Sequence, residues 1–270
     1  MLTANAESMT ATDTIGVLIC GHGSREAETA REFDTLVRKI AARLASFQVE
    51  SGALEFATPS IRDGLQKLVQ HGRTQIIAVP GTLLRGGHSS RDIPAILREF
   101  SARFPGINIR YGRELGADAK LINTAIIRVR EAIAVAQDDL AAQKTALLVA
   151  GRGAADPSTN AIVETVMRAV QTELNFTHGA TAFAGIATPL IEPALRHIAQ
   201  QEYQRIIVLP YLLFNGVLVN KIYQQVDDMV ARYPDVQFIK AGYLNSHPLV
   251  VECFVDRIME CLQPGTPIHG

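Results

Sequence analysis

The sequence predicts an α/β protein made of two duplicated, doubly wound lobes, each a four-stranded parallel sheet flanked by helices. Short apolar runs rich in β-branched residues alternate with longer segments of helical period, which is typical of βαβ units. A constant shift also superimposes the first half on the second over about 65 residues, so that Gly21 meets Gly151 and the tripeptide at 57–59 meets the one at 187–189. The chain is therefore predicted to be a tandem repeat with the active cleft between its lobes.

Each repeat is predicted to contain four strands. They are 15–20, 52–57, 75–80 and 107–112, with counterparts at 145–150, 181–187, 205–210 and 236–242. Apolar residues at helical spacing predict the helices of the first repeat, at 25–46, 60–71, 90–103 and 116–137. Because the apolar runs do not alternate with polar residues, the strands are expected to be buried on both faces of a parallel, chelatase-like sheet with right-handed crossovers.

The domain boundaries follow from the repeat. The N-terminal lobe, which carries the candidate histidines, is predicted at 15–140, and a degenerate C-terminal lobe at 141–262. A tail follows at 263–270. The first 14 residues are polar, contain no Lys or Arg and have no apolar run, so they are interpreted as a disordered leader rather than a signal peptide.

Composition and charge exclude several classes of protein. With 26 basic and 27 acidic residues, the net charge of -1 offers no bulk attraction to polyanions, so neither nucleic acid nor a membrane is expected as a partner. No apolar run is long enough for a transmembrane helix. Cys20, Cys253 and Cys261 lie far apart, which argues against a disulfide framework and favours a cytoplasmic location. The sequence does not decide between a monomer and a homodimer.

Two histidines follow the first and third predicted strands. His22 is flanked by glycines, and His88 comes after another glycine-rich strand exit. Parallel sheets bind ligands at the carboxyl ends of their strands, and these two strands are expected to be neighbours, so the imidazoles should converge on one divalent metal ion. Glu55, near the end of the second strand, is expected to act as a third ligand or to orient an imidazole.

The second repeat lacks all three of these side chains but keeps the glycines and prolines around them. Its residues at the positions of the two histidines and the glutamate are Arg152, Leu218 and Gly185. One active and one inactive lobe are therefore expected.

Two other interpretations of the first loop stay open. Its glycines could form a phosphate loop, although the third glycine and the lysine of such motifs are missing. Ser24 could be a nucleophile with His22 as its base, although a serine before a helix is more often a cap. The remaining histidines are expected to be solvated: His71, His178, His197, His247 and His269.

Four short motifs occur in order along the chain. They are GHGSR at 21–25, GGH with DIP at 86–94, GRG with DP at 151–157, and LPYLLFNGVL at 209–218. Together they resemble the long, two-lobed sirohydrochlorin cobaltochelatases of cobalamin biosynthesis, and the similarity runs from about residue 15 to 250. The resemblance implies a class II chelatase fold and ATP-independent insertion of a divalent metal into sirohydrochlorin, a tetrapyrrole held between the lobes.

The resemblance also implies the roles of individual residues. His22, His88 and Glu55 match the catalytic and metal-site positions of the family. The carboxylates of the macrocycle need cations around an apolar slot, and the candidate substrate-binding residues are Ser24, Arg25, Arg85, Gly86, Gly87, Arg91 and Arg152.

The identity of the metal is less constrained. Cobalt is expected, with iron or nickel as other possible substrates, because imidazole and carboxylate ligands accept several divalent metals. Siroheme ferrochelatases share the motifs, so iron insertion is one alternative, and a non-catalytic tetrapyrrole-binding or metal-binding protein is another. The C-terminal stretch at 261–270 offers one Cys and one His, so no iron–sulfur cluster is expected.

Overall fold

The computed structural model describes residues 14–136 and 140–263, so the predicted leader and tail, apart from Thr14 and Gln263, lie outside the described residues. The predicted fold class is confirmed, because the two repeats form two four-stranded parallel sheets flanked by helices. The first repeat contains β1 (Ile15–Gly21), α1 (Ala27–Arg43), β2 (Gln48–Ala53), α2 (Ile61–Gln70), β3 (Gln75–Pro80), a π-helical turn (His88–Asp92), α3 (Ile93–Arg103), β4 (Asn108–Tyr111) and α4 (Ala119–Ala136).

The second repeat has the same order of elements. It contains a short 3₁₀ helix (Ala142–Lys144), β5 (Thr145–Gly151), α5 (Pro157–Glu173), β6 (His178–Phe183), α6 (Ile191–Ala199), β7 (Arg205–Pro210), α7 (Val217–Arg232), β8 (Gln237–Lys240) and α8 (Pro248–Leu262). None of the helices within the described residues has both the length and the hydropathy that a membrane span requires.

The strand order is β2-β1-β3-β4 in one sheet and β6-β5-β7-β8 in the other, so the first strand of each repeat lies between the second and the third. In the first sheet Cys20 pairs with Pro80 and Gly21 with Ala53, which brings the ends of β1, β2 and β3 together. The expectation that the first and third strands are neighbours is confirmed. The residues that follow these strands share one edge of the sheet.

The second strand of each repeat begins earlier than the sequence pattern indicated. The predicted ranges 52–57 and 181–187 are wrong by three or four residues, since β2 starts at Gln48 and β6 at His178. Both are edge strands, and their first four residues are only half-buried. An edge strand can therefore be more polar than a central one, which hid its start. Glu55 consequently lies in the loop after β2, two residues beyond the strand.

Two of the five remaining histidines are not simply solvated. His178 begins β6, is half-buried, and packs its ring 5.3 Å from that of Tyr203. His247 is the N-cap of α8, where its Nδ1 accepts a hydrogen bond from the amide of Leu249. His71 and His197 are exposed, as expected, and His269 lies outside the described residues.

The last helix of each repeat packs on the sheet of the other repeat. α4 contacts β7, β8 and α5, whereas α8 contacts β3 and α1. Arg257 of α8 is buried and donates hydrogen bonds to the Leu115 carbonyl and the Asp118 carboxylate of the first repeat, and Arg128 of α4 donates to the Leu244 carbonyl of the second. One hydrophobic cluster accordingly includes buried residues of β1, β5, α4 and α8. The division into lobes at 15–140 and 141–262 stays a prediction, and the packing of these two helices crosses it.

Candidate functional site

The loop after β1 is built by glycines that let it pass very close to its neighbours. A Cβ on Gly21 would lie 2.8 Å from the Phe33 ring, and a Cβ on Gly23, whose φ is +90°, would lie 1.7 Å from the Glu55 carbonyl oxygen. The backbone of this loop pairs with the loop after β2, because the Glu55 amide donates to the His22 carbonyl at 3.1 Å. Gly23 is therefore the residue that allows His22 and Glu55 to be neighbours.

The side chains of His22 and Glu55 also meet. His22 Nε2 lies 3.4 Å from Glu55 Oε1, and His22 Nδ1 lies 3.2 Å from the Gly23 carbonyl oxygen. When Nδ1 carries the proton and donates it to that carbonyl, the lone pair of Nε2 and the carboxylate face each other. Two electron-pair donors at this distance suit a shared cation, either a proton or a metal ion. The side chains are 33% and 40% exposed, so a substrate can reach them.

His88 begins the π-helical turn after β3. The structure describes its backbone but not its side chain, so the convergence of His88 with His22 stays a prediction. The turn itself is firmly held: Ser89 is buried, its Oγ donates to Glu114 Oε1 at 2.7 Å, and the Tyr111 hydroxyl donates to the Ser89 carbonyl at 2.9 Å. π-helical turns occur frequently at functional sites, which agrees with a role for this strand exit.

A three-residue metal site is not visible among the described side chains. Within that part of the molecule, no group of three His, Cys, Asp or Glu residues is placed to hold a metal ion. His22 and Glu55 provide two of the three predicted ligands, and the third, His88, has an undescribed side chain. The ligand set therefore remains a prediction.

The candidate substrate-binding residues surround this edge. Arg25 is exposed and places its guanidinium carbon 4.5 Å from the centre of the Phe56 ring. Gly87 lies beneath the Arg91 guanidinium, since a Cβ there would be 2.9 Å from Arg91 Nη2. The Gly86 carbonyl accepts hydrogen bonds that close the π-helical turn.

Ser24 serves the turn that leads into α1. Its Oγ accepts a hydrogen bond from the Glu26 amide at 3.0 Å. A serine in this arrangement satisfies a backbone donor before a helix, which favours a structural role over that of a nucleophile.

The carboxyl edges of the two sheets face each other. Thr29, near the start of α1, donates to the Asn215 carbonyl at 2.7 Å, and Glu32 accepts from the Asn215 amide at 2.7 Å. On the equivalent side, two hydrogen bonds from Ser158 hold the pKa of Asp156 below its ordinary value, and the nearby charge of Arg85 lowers this pKa further. Arg85 of the first repeat thus lies close to the start of α5 in the second.

The equivalent edge of the second repeat has no room for an acidic side chain at the position of Glu55. A Cβ on Gly185 would lie 2.6 Å from the Arg152 carbonyl oxygen. Arg152 itself is exposed, and Lys221, at the position equivalent to Arg91, donates to the Ala184 carbonyl at 3.1 Å. This edge therefore presents the Arg152 cation where the first repeat presents the imidazole, and it has no side chain where the first repeat presents the carboxylate.

Sequence reasoning missed the exposed apolar residues at these edges. Phe56 is 51% exposed, and Ile186, at the equivalent position of the second repeat, is 76% exposed. Val217, at the start of α7, is also exposed. The shift that aligns the two repeats pairs Phe56 with Ile186, and this pairing of two apolar residues in a loop was the available signal.

The fold and the site define a two-lobed, duplicated α/β protein whose facing sheet edges carry metal-type ligands on one side and cations on both. The chain belongs to the CbiX family, because the CbiX family model matches residues 16–132 and 146–261.

The chain is similar to named proteins over most of their length. The sirohydrochlorin cobaltochelatase of Priestia megaterium is 31% identical over 248 residues, which cover 92% of this chain and 80% of that protein. The sirohydrochlorin ferrochelatase of the same organism is 29% identical, with 86% and 84% covered. The solved structure of SirB from Bacillus subtilis with Fe3+ superimposes with a TM-score of 0.81 at 26% identity, covering 92% of this chain and 95% of that one.

Proposed function

We propose that the protein is a sirohydrochlorin chelatase that inserts a divalent metal ion into the macrocycle without ATP. The observation that carries the proposal is the pair formed by His22 Nε2 and Glu55 Oε1, 3.4 Å apart at an accessible sheet edge. Membership of the CbiX family supports the substrate class, since the relatives compared above are named for sirohydrochlorin.

The chemistry of metallation fits these residue types. Insertion exchanges two pyrrole N–H protons of the macrocycle for one M²⁺ ion, which loses its water ligands as it enters. A neutral imidazole can hold the ion or accept a proton, and the carboxylate can do the same or orient the imidazole. We propose that His22 and Glu55 perform these steps together with His88, whose backbone follows the neighbouring strand β3.

The arginines provide the complementary charge for the substrate. Sirohydrochlorin carries several carboxylate side chains, and guanidinium groups bind carboxylates through two parallel hydrogen bonds. Arg25, Arg85 and Arg91 lie at the edge of the first repeat and Arg152 at that of the second, all exposed. We propose that they bind the rim of the macrocycle from both lobes.

Cobalt is the metal that we propose, which would place the reaction in cobalamin biosynthesis. The relative at 31% identity is named for cobalt, the relative at 29% is named for iron, and the superimposed structure was solved with Fe3+. Iron insertion is therefore the second candidate, because nitrogen and oxygen ligands accept both metals. We expect the reaction to take place in the cytoplasm.

The test is an anaerobic metallation assay with purified protein, sirohydrochlorin and Co²⁺, Fe²⁺ or Ni²⁺, without ATP, followed by the absorbance of the macrocycle. The rate above the uncatalysed one should be largest with Co²⁺. His22→Ala and His88→Ala should each lower it by about 10² to 10⁴-fold, and the double variant should be little worse than either, because the two residues form one site.

His197→Ala is the matched control and should keep the full rate. His197 is exposed in the last turn of α6, whereas the candidate site lies in the loops that follow β1, β2 and β3. Binding of sirohydrochlorin without any metallation would instead indicate a carrier. Faster metallation with Fe²⁺ than with Co²⁺ would assign the protein to iron insertion.

A further inference from the structure

We propose that Phe56 binds a face of the macrocycle and holds Arg25 and His22 in position against it. The inference rests on the proposed function and adds a residue and a role to it. Its basis is the loop after β2, where an aromatic ring, a guanidinium and an imidazole are grouped together.

The backbone of Phe56 is held in an unfavourable conformation. Its φ is +61°, in the left-handed region, which is an outlier for a bulky residue. Among the described residues the other non-glycine positions with positive φ are Asn175 and Asn245, and asparagine tolerates this region. Such strain persists where the surrounding structure enforces it, and it clusters at ligand-binding and active sites.

The ring contacts two of the candidate site residues. The centres of the Phe56 and His22 rings are 6.3 Å apart with 26° between their planes, so the rings are stacked. The Arg25 guanidinium carbon is 4.5 Å from the centre of the same ring, within the range of a cation–π interaction. Phe56 therefore influences where both the imidazole and the guanidinium point.

The exposed half of the ring is suited to a flat conjugated ligand. Aromatic rings pack favourably against other π systems, and each such pair contributes beyond its buried area. A tetrapyrrole offers a π face, peripheral carboxylates and a metal-accepting centre. Phe56, Arg25 and His22 match these three features in turn, and they are grouped within the distances given above.

The grouping occurs in one repeat. At the equivalent positions the second repeat has Ala155 for Arg25, Arg152 for His22 and Ile186 for Phe56, and Ile186 has no positive φ. The strained aromatic residue therefore accompanies the imidazole and the carboxylate, rather than the loop architecture that both repeats share.

The experiment measures binding of metal-free sirohydrochlorin by its fluorescence, together with the thermal unfolding midpoint of each variant. Phe56→Gly and Phe56→Ala should raise the Kd by about tenfold or more, while Phe56→Tyr, which keeps the ring, should stay within about threefold of the wild type. Glycine accepts the left-handed conformation freely. Phe56→Gly should therefore unfold at the same temperature as the wild type or higher, which separates a binding role from a structural one.

Phe104→Ala is the matched control. Phe104 is also a partly exposed phenylalanine with an arginine, Arg103, 5.9 Å from the centre of its ring, but it follows α3 at the opposite end of that helix from the site. This variant should bind sirohydrochlorin as the wild type does.

Two results would overturn the inference. One is unchanged binding in Phe56→Gly when the wild type binds, and the other is a loss of binding that parallels a lower unfolding midpoint in Phe56→Gly. If the wild-type protein does not bind sirohydrochlorin, the proposed function fails and this inference fails with it.

Discussion

Replacing Glu55 with Gln tests whether the His22–Glu55 pair exists for chemistry or for stability. At 3.4 Å, a protonated His22 imidazole and the Glu55 carboxylate attract each other by about 1.2 kcal/mol in a water-like dielectric, and a neutral imidazole is attracted less. The two side chains are 33% and 40% exposed, and solvent-exposed ion pairs contribute about 0.2 to 1 kcal/mol to the free energy of unfolding. The free energy of unfolding should therefore change by less than about 1 kcal/mol.

The metallation rate should respond much more strongly. Gln keeps the shape of the side chain but removes the charge that faces Nε2, so the site loses an anionic ligand or the group that orients the imidazole. A loss of about 10 to 100-fold in rate is expected for the orienting role, and a larger loss for a direct ligand or proton acceptor. The size of the effect thus assigns the role of Glu55.

The assay pairs the metallation rate with urea unfolding followed by circular dichroism. Glu50→Gln is the control, because Glu50 also lies at β2 and pairs with Lys67 at 2.8 Å, away from the loop that carries the site. It should alter stability slightly and leave the rate unchanged. A rate within twofold of the wild type in Glu55→Gln, or a destabilisation of several kcal/mol that accounts for the lost activity, would refute the reasoning.

Three further predictions concern the second repeat. Arg152→Ala should weaken binding of sirohydrochlorin with a smaller effect on kcat at saturating substrate. If this variant had no turnover at saturating substrate, the chemistry would belong to the second repeat and not to the first. Gly185→Ala should cost about 1 to 3 kcal/mol in urea unfolding, because its Cβ would lie 2.6 Å from the Arg152 carbonyl oxygen, whereas Gly106→Ala meets no atom within 4 Å and should be tolerated. Burial, followed by the charge of a nearby arginine, lowers the pKa of His247. As the pH drops, the unfolded chain therefore binds a proton on His247 before the folded protein does, and the free energy of unfolding should fall below the ordinary histidine pKa of about 6.5. His247→Asn, which can still cap the helix, should lose less free energy of unfolding than the wild type between pH 7.5 and 5.5. An equal loss in the two proteins would contradict this prediction.

The fold could be predicted largely because the repeat preserves its turn residues and its central strands. β1 and β3 are buried on both faces, so their apolar runs mark them clearly. β2 is an edge strand whose residues face solvent in part, and its start was therefore placed four residues late. The packing of α4 and α8 on the opposite sheets could not be predicted, because a helical apolar period shows that a face is buried but not which sheet covers it.

The candidate site could be predicted in part. Strand order and the carboxyl-end rule point to His22 and Glu55, and the structure places them side by side. The roles of these residues and of His88 stay predictions. The repeat pairs Phe56 with Ile186 and so marks an apolar loop position, but phenylalanine gives no signal of a left-handed backbone. Only the spatial grouping with Arg25 and His22 points to a role for its ring.

Because α4 and α8 each pack on the sheet of the other repeat, the two repeats cannot be separated without uncovering both sheets. A cut between the repeats would leave the face of β3 without α8 and the faces of β7 and β8 without α4. Each half could restore this cover by taking a helix from another half, which is the arrangement of a domain-swapped dimer. The full-length chain is then equivalent to such a dimer with its subunits fused. In a dimer of identical halves the two sheet edges must carry the same residues, whereas in the fused chain one edge can lack the imidazole and the carboxylate while the other keeps them.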